Sequence, residues 1–372
     1  MTQQSTIPLY PLKLSPMAME KVWGGHKLNQ LFPRLPKTKG PLGEVWVLWA
    51  GLAIENGPLQ GQTLASLVQQ DPAAILGSHL AGQPQQAFPL LLKFIDAQET
   101  LSVQVHPDDA YAQDRENQPY GKTEFWYVLD AAPGAKIIYG TNRSTTEQEI
   151  RLALAEGKVT DYLQFVPVST GDVILLLAGT IHALGEGIVV YELQQSSDIT
   201  YRLFDWNRVP VGGVVRELHV EQSLDVADLE PKRIKKIQSV SLLEGANTQR
   251  LLCACRYFAA ELLDLTEPFP QDTKMACFHI ITDLQGTCRL VYGPAPGDQT
   301  LLESGDTVLI PAGLDGYEIQ PIDQPCVLIK GYVPDLLEDV VHPLRARGVP
   351  WEQIVQLGGD PDESDLAELG PV

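Results

Sequence analysis

Cysteine is sparse in this chain of 372 residues. There are five, Cys253, Cys255, Cys277, Cys288 and Cys326, all in the C-terminal third. The odd number and the lack of any C-x-x-C pair argue against a disulfide framework and fit free thiols in a reducing compartment. Basic residues are also scarce: 27 Lys and Arg face 47 Asp and Glu, a formal net charge of −20. That balance speaks against nucleic-acid partners and against an anionic membrane surface. It leaves room for a small anionic ligand, because a few cations in a cleft act at short range while salt screens the distant field. No apolar run approaches the length of a bilayer span. The start, MTQQSTIPLYPLKLSP, lacks the apolar region of a signal peptide. The expectation is a soluble, cytoplasmic protein.

What is present is an ordinary globular composition, 44% hydrophobic and 20% charged, enough for a substantial core. Residues 61–81 carry helical spacing at Leu64, Leu67 and Val68. From Phe88 onward the pattern becomes short strands between turn signals, among them FPLLLKFIDA, LSVQVHP, TEFWYVLDA, AKIIYGTN, GIVVYELQQ and TYRLFDW. The segment 144–163 reads as a helical insertion whose Ser/Thr followed by Glu suggests a cap. A linker spans 209–238, and a second run of strands extends from Arg250 to Tyr332. The last dozen residues are acidic and are expected to be mobile.

One repeat links the two strand-rich parts. GDVILLLAGTIHAL (171–184) and GDTVLIPAGLDGYEI (305–319) share Gly-Asp, an apolar run, a small turn and Gly, the form of a jelly-roll strand-turn-strand. The first copy ends in His182; the second has Asp315 and Gly316 and no histidine. The predicted fold is mainly β, two jelly-roll barrels with a small helical insertion. Residues 1–240 form the first, site-bearing unit, 241–335 a second, metal-free one, and 336–372 a C-terminal helix and acidic tail.

Side-chain alternation along a strand gives LSVQVHPDD (101–109) two faces. Leu101, Val103 and Val105 share one; Ser102, Gln104 and His106 share the other. In GKTEFWYVLDA, Lys122 and Glu124 point the same way. With His182, two imidazoles, a carboxylate and an amide oxygen on barrel strands make a four-ligand set suited to Zn²⁺. Taken singly, His106 before a proline reads as a turn histidine and Glu124 as a solvated strand residue; their occurrence on consecutive strands favours a site. Downstream, YELQQSSDITYRLFDWNR offers Glu192 as a base and Arg202 as an anion clamp, with a structural Asp198–Arg202 ion pair as the plainer alternative.

These stretches resemble the type I mannose-6-phosphate isomerases in their short bacterial form. LSVQVHPDD, GKTEFWYVLDA, AGTIHALGEG and LQQSSDITYRLFDW carry the resemblance, which spans about residues 8–210 and is loose beyond. It implies a double cupin with one Zn²⁺ per chain, held by Gln104, His106, Glu124 and His182. Ser102 and Lys122 would contact the substrate phosphate, Arg202 would be the catalytic arginine, and Glu192 a candidate acid–base residue. The implied reaction interconverts mannose 6-phosphate and fructose 6-phosphate by proton transfer between C1 and C2 through an enediol. Two alternatives stand beside it. One is a catalytically silent cupin that binds a sugar phosphate. The other is an Fe²⁺ cupin oxygenase, which usually needs a further histidine, often as H-x-H, where this chain has Gln104-Val105-His106.

Overall fold

Short apolar runs bounded by Gly, Pro and Asp form strands throughout, and all the ladders are antiparallel. The computed structural model describes residues 7–82, 87–208, 216–233 and 235–371. The described residues form three sheets. A six-stranded sheet runs Met17–Gly25, Leu42–Leu48, Leu90–Ala97, Ile188–Gln195, Glu124–Ala131, Val173–Leu176 in spatial order. A five-stranded sheet runs Tyr201–Phe204, Val103–Val105, His182–Ala183, Lys136–Thr141, Leu163–Pro167. The remaining nine strands form one sheet centred on His279–Val291 and Gly316–Tyr332.

Alternation decides what each face touches. In the six-stranded sheet, Val45, Phe94, Phe125, Tyr191 and Leu193 point outward and join one core cluster with Leu251, Ile280 and Ile329 of the nine-stranded sheet and with Phe258 and Phe278, which precede two of its strands. The residues between them, including Glu44, Lys93, Trp126 and Glu192, point the other way and line a cavity. The five-stranded sheet buries Val103, Val105, Ile138, Ile181 and Leu203 on its outer face, covered by Ile150, Ala153 and Leu224 from two short helices. Its inner face meets the six-stranded sheet over a second cluster that includes Trp23, Ile95, Trp126, Tyr139 and Leu184.

The helical insertion forms at Glu147–Ala155 with a reciprocal cap. Thr146 Oγ1 accepts from the Glu149 amide at 3.3 Å, and Glu149 accepts from the Thr146 amide at 2.8 Å. The helix expected over 61–81 is two, Leu64–Gln70 and Pro72–Leu76. Proline cannot donate to the preceding turn, and Asp71 caps the second helix by accepting from Ala74 N. Within the second run, YEIQP and CVLIKGY belong to one long strand, Gly316–Tyr332.

The acidic end is docked. Short helices occupy His342–Ala346, Trp351–Gln356 and Asp365–Glu368. Leu366 is fully buried, Asp360 pairs with Arg233 at 2.9 Å, and Glu363 and Asp365 pair with Lys232 and Arg256. Charge composition alone suggested mobility, but the tail meets cations that the acidic body holds at its landing site. The predicted linker is outside the described residues at 209–215 and 234. No helix among the described residues is long and apolar enough to cross a membrane.

Candidate metal centre and substrate cavity

The two sheets bring the candidate residues together by register. His182 pairs with Gln104, Arg202 also pairs with Gln104, and Gln194 pairs with Glu124. His106 follows the end of its strand, where the segment 107–121, a loop carrying the short helix Asp109–Arg115, closes on itself. Gly121 permits that closure: a Cβ there would lie 2.3 Å from the Asp108 carbonyl carbon and 2.5 Å from Pro107 O. The loop returns the chain at Lys122, whose amide donates to Pro107 O at 2.9 Å.

His106, Glu124 and His182 present ligand atoms that all lie within 4.8 Å of one another. Glu124 is wholly buried. Its oxygens stand 3.1 Å from His182 Nε2, 3.7 Å from His106 Nε2 and 2.8 Å from Lys122 Nζ. In each imidazole Nδ1 faces a backbone carbonyl at 2.8 Å, Ile199 O for His106 and Thr180 O for His182. That contact fixes the proton on Nδ1 and leaves Nε2 aimed at the carboxylate, the usual support of a metal-ligating histidine. Burial, with Lys122 beside it, holds His106 well below its ordinary pKa, so it is a neutral ligand. Burial alone would raise Glu124, but Lys122 and the two imidazoles outweigh it and keep the carboxylate ionised. Neither Glu124 oxygen accepts a well-angled hydrogen bond despite full burial. A fully buried, ionised carboxylate facing two imidazole Nε2 atoms is a donor set that fits a divalent metal. The Gln104 amide lies 3.3 Å from His182 Nε2, so rotation about its terminal bond turns its oxygen to the same point.

Beside this cluster is a cavity of about 280 Å³. Lys21, Lys93, Lys122, Arg202 and Arg216 face it, against Glu44, Glu192 and Asp198. This cationic excess runs opposite to the net charge of the chain. Arg202 Nε donates to Ser102 Oγ at 3.3 Å and its Nη1 to Glu217 O at 2.7 Å. The Asp198–Arg202 ion pair is not formed among the described residues; Asp198 lines the same cavity separately. Glu192 accepts from Trp126 Nε1 at 2.8 Å, and Lys93 Nζ lies 3.4 Å from its other oxygen. Burial, and the nearby charge of Glu124, raise the Glu192 carboxyl against the pull of Lys93 and Lys122.

Leu101 departs from expectation. It lies before the strand begins and lines the cavity instead of packing with Val103 and Val105. The sequence reading did not single out several lining residues, among them Lys21, Glu44, Lys93, Trp126 and Arg216. Lys93 had a signal, being the one charge inside the apolar run FPLLLKFI. It sits 5.0 Å from the Trp46 ring centroid and 4.0 Å from Glu44.

An antiparallel β protein with a neutral-histidine and carboxylate cluster at the end of a cation-lined cavity is the class these features define. Residues 11–130 match the family profile of the phosphomannose isomerase type I catalytic domain. A mannose-6-phosphate isomerase of Bacillus subtilis is 34% identical over 315 residues, covering 83% of this chain and 96% of the relative. One of Streptococcus mutans is 34% identical over 314 residues, covering 83% and 94%. The crystal structure of the mannose 6-phosphate isomerase from Bacillus subtilis superposes with a TM-score of 0.77 at 30% identity, covering 87% of this chain and 99% of that one. The chain belongs to the type I phosphomannose isomerase family.

Proposed function

We propose that the chain is a zinc-dependent aldose–ketose isomerase that interconverts mannose 6-phosphate and fructose 6-phosphate. The observation that carries this reading is the meeting of His106, Glu124 and His182 at the end of a cavity with five cationic and three acidic side chains. Gln104 completes the donor set. Nitrogen and oxygen donors without sulfur suit Zn²⁺, which when bound supplies a positive charge against the oxyanion that develops as the C2 or C1 proton leaves. We take residues 1–240 as the unit that bears this site.

The remaining steps belong to the chain's own groups. Glu192 moves the proton between C1 and C2; burial raises its pKa towards the range useful to a base, and Trp126 fixes one of its oxygens. Arg202 stabilises charge on the enediolate. Ser102, bonded to Arg202, takes part in holding the phosphate end, so binding energy there orients the reacting carbons. Lys122 Nζ now lies 3.2 Å from His106 Nε2. Lys122 also lines the cavity; a cation held by His106 would repel its ammonium towards that side, where it would contact substrate.

The test is turnover of mannose 6-phosphate before and after a chelator, then with Zn²⁺ restored. Loss and recovery are expected. A folded, zinc-loaded chain without turnover would replace this reading with the silent sugar-phosphate-binding cupin.

A further inference from the structure

We propose that Asp283, Cys288 and Cys326 form a second, structural metal site inside the nine-stranded half, taking a thiophilic divalent cation of the zinc type. The inference is independent of the isomerase reading. Asp283 and Cys288 are five residues apart on one strand, a spacing that in regular pleat puts side chains on opposite faces. The ladder with Gly316–Tyr332 slips between Asp283 and Gln285, again between Gln285 and Thr287, and again before Cys288. Bulges re-aim side chains, and here they turn both residues to one side, facing Cys326 on the partner strand. Gly286 makes the approach possible. Its φ is +100°, and a Cβ would lie 2.4 Å from Pro325 O and 3.2 Å from Cys326 Cα.

The result is three ligand atoms within 4.8 Å of one another. Ligands on a tetrahedral zinc ion stand about 3.8 Å apart for two sulfurs, inside that limit. All three residues are fully buried, and the two thiols belong to a cluster otherwise made of residues such as Leu263, Ile281, Leu290, Leu302 and Leu328. Both Asp283 oxygens are buried without a well-angled hydrogen bond. The groups that act on the carboxyl are the Cys288 thiol, the Gln285 amide, and the acids Asp306 and Glu303. Two thiolates and a carboxylate are a donor set that selects zinc-like ions over calcium or magnesium. No further His, Cys, Asp or Glu atom joins the group among the described residues, so the fourth position falls to water or a backbone oxygen. An ion here would tie the two strands where the ladder is interrupted. It also revises the expectation of a metal-free second half: the place matching His182 is indeed without histidine, but the proposed ion sits elsewhere.

The test uses the full chain produced in zinc-depleted, cobalt-supplemented cells. Thiolate-to-Co²⁺ charge transfer absorbs in the near ultraviolet, and the first site offers no sulfur, so the band reads the second site alone. The expected result is a band in the wild-type chain that disappears, with loss of one metal equivalent, in Cys288→Ser/Cys326→Ser. Turnover of mannose 6-phosphate should be unchanged by that pair. A wild-type chain without the band overturns the proposal and leaves Asp283, Cys288 and Cys326 as a metal-free buried cluster. A band that survives the double substitution overturns it too, because other cysteines would then be the ligands. The wild-type spectrum stands even where the variant does not fold, and it does not depend on whether the chain is an isomerase.

Discussion

The two halves of the molecule share a strand-turn-strand repeat and line their interiors oppositely. Between the six- and five-stranded sheets, Lys93, Ser102, Lys122, Glu124, His182 and Glu192 are buried and face inward. In the nine-stranded half the corresponding interior is mostly apolar, with Leu263, Leu265, Ile281, Leu290, Val308 and Leu328 around the buried Asp283. Both patterns satisfy the same period of two. Only the identity of the inward residues differs, and buried charges cost stability even when paired. The first half therefore carries a polar cavity that packing does not require, whereas the second confines its buried charge to a few positions, the Glu261–Lys330 pair and Asp283, in an otherwise apolar support that joins the first half through Phe258, Phe278 and Ile280.

The largest effect should come from removing a ligand in the polar half. His106→Ala or His182→Ala should lose the bound zinc of that site and lower turnover at least about a thousand-fold in chain that remains folded. Full zinc at the first site by metal analysis of either variant would break the ligand assignment. The apolar half should respond in the opposite manner. Leu290 is fully buried, and Leu290→Ala should cost roughly 3 kcal/mol of unfolding free energy with kcat of the folded fraction unchanged. Denaturant unfolding and active-site titration separate the two quantities, and a kcat that fell with stability would deny the division of labour. Arg202→Ala should reduce kcat about a hundred-fold while zinc content stays the same. Normal turnover would remove Arg202 from the mechanism.

Much of this contrast was legible in the sequence, and the parts that were not share a cause. Alternation within LSVQVHP and the order of the four motifs gave the two imidazoles, Glu124 and the strands that bear them. The GDVILLLAGTIHAL copy carried a histidine and the GDTVLIPAG copy did not. What alternation could not give was which strands lie across from one another. Glu44 and Lys93 come from strands early in the chain and meet Glu192 only through the pairings Trp46–Lys93 and Lys93–Glu192. Bulges were equally silent: Asp283 and Cys288 read as opposite faces until the ladder slips. The docking of the tail was hidden because Asp360 and Asp365 find Arg233 and Arg256 more than a hundred residues away, while their own segment reads as unpaired acid.

The smallest effect tests how the polar half sets its base. Lys93 lies between two carboxylates, 3.4 Å from Glu192 and 4.0 Å from Glu44. Burial raises Glu192 and Lys93 opposes it. The rising limb of kcat/KM against pH reports the base in the free enzyme. Lys93→Gln removes the opposing cation, so Glu192 should hold its proton to higher pH and the limb should move upward, with zinc content intact. Glu44 is the counter-test. Burial would raise its carboxyl, but Lys93 and Lys21 outweigh it and hold it at about 2, so it draws on the same lysine charge. Glu44→Gln leaves Lys93 to Glu192 alone and should move the limb downward. Shifts of opposite sign would assign the limb to Glu192 and its tuning to Lys93. If both variants left the limb in place, the proton would be moved by another group, and Asp198, facing the same cavity, would be the next residue to replace.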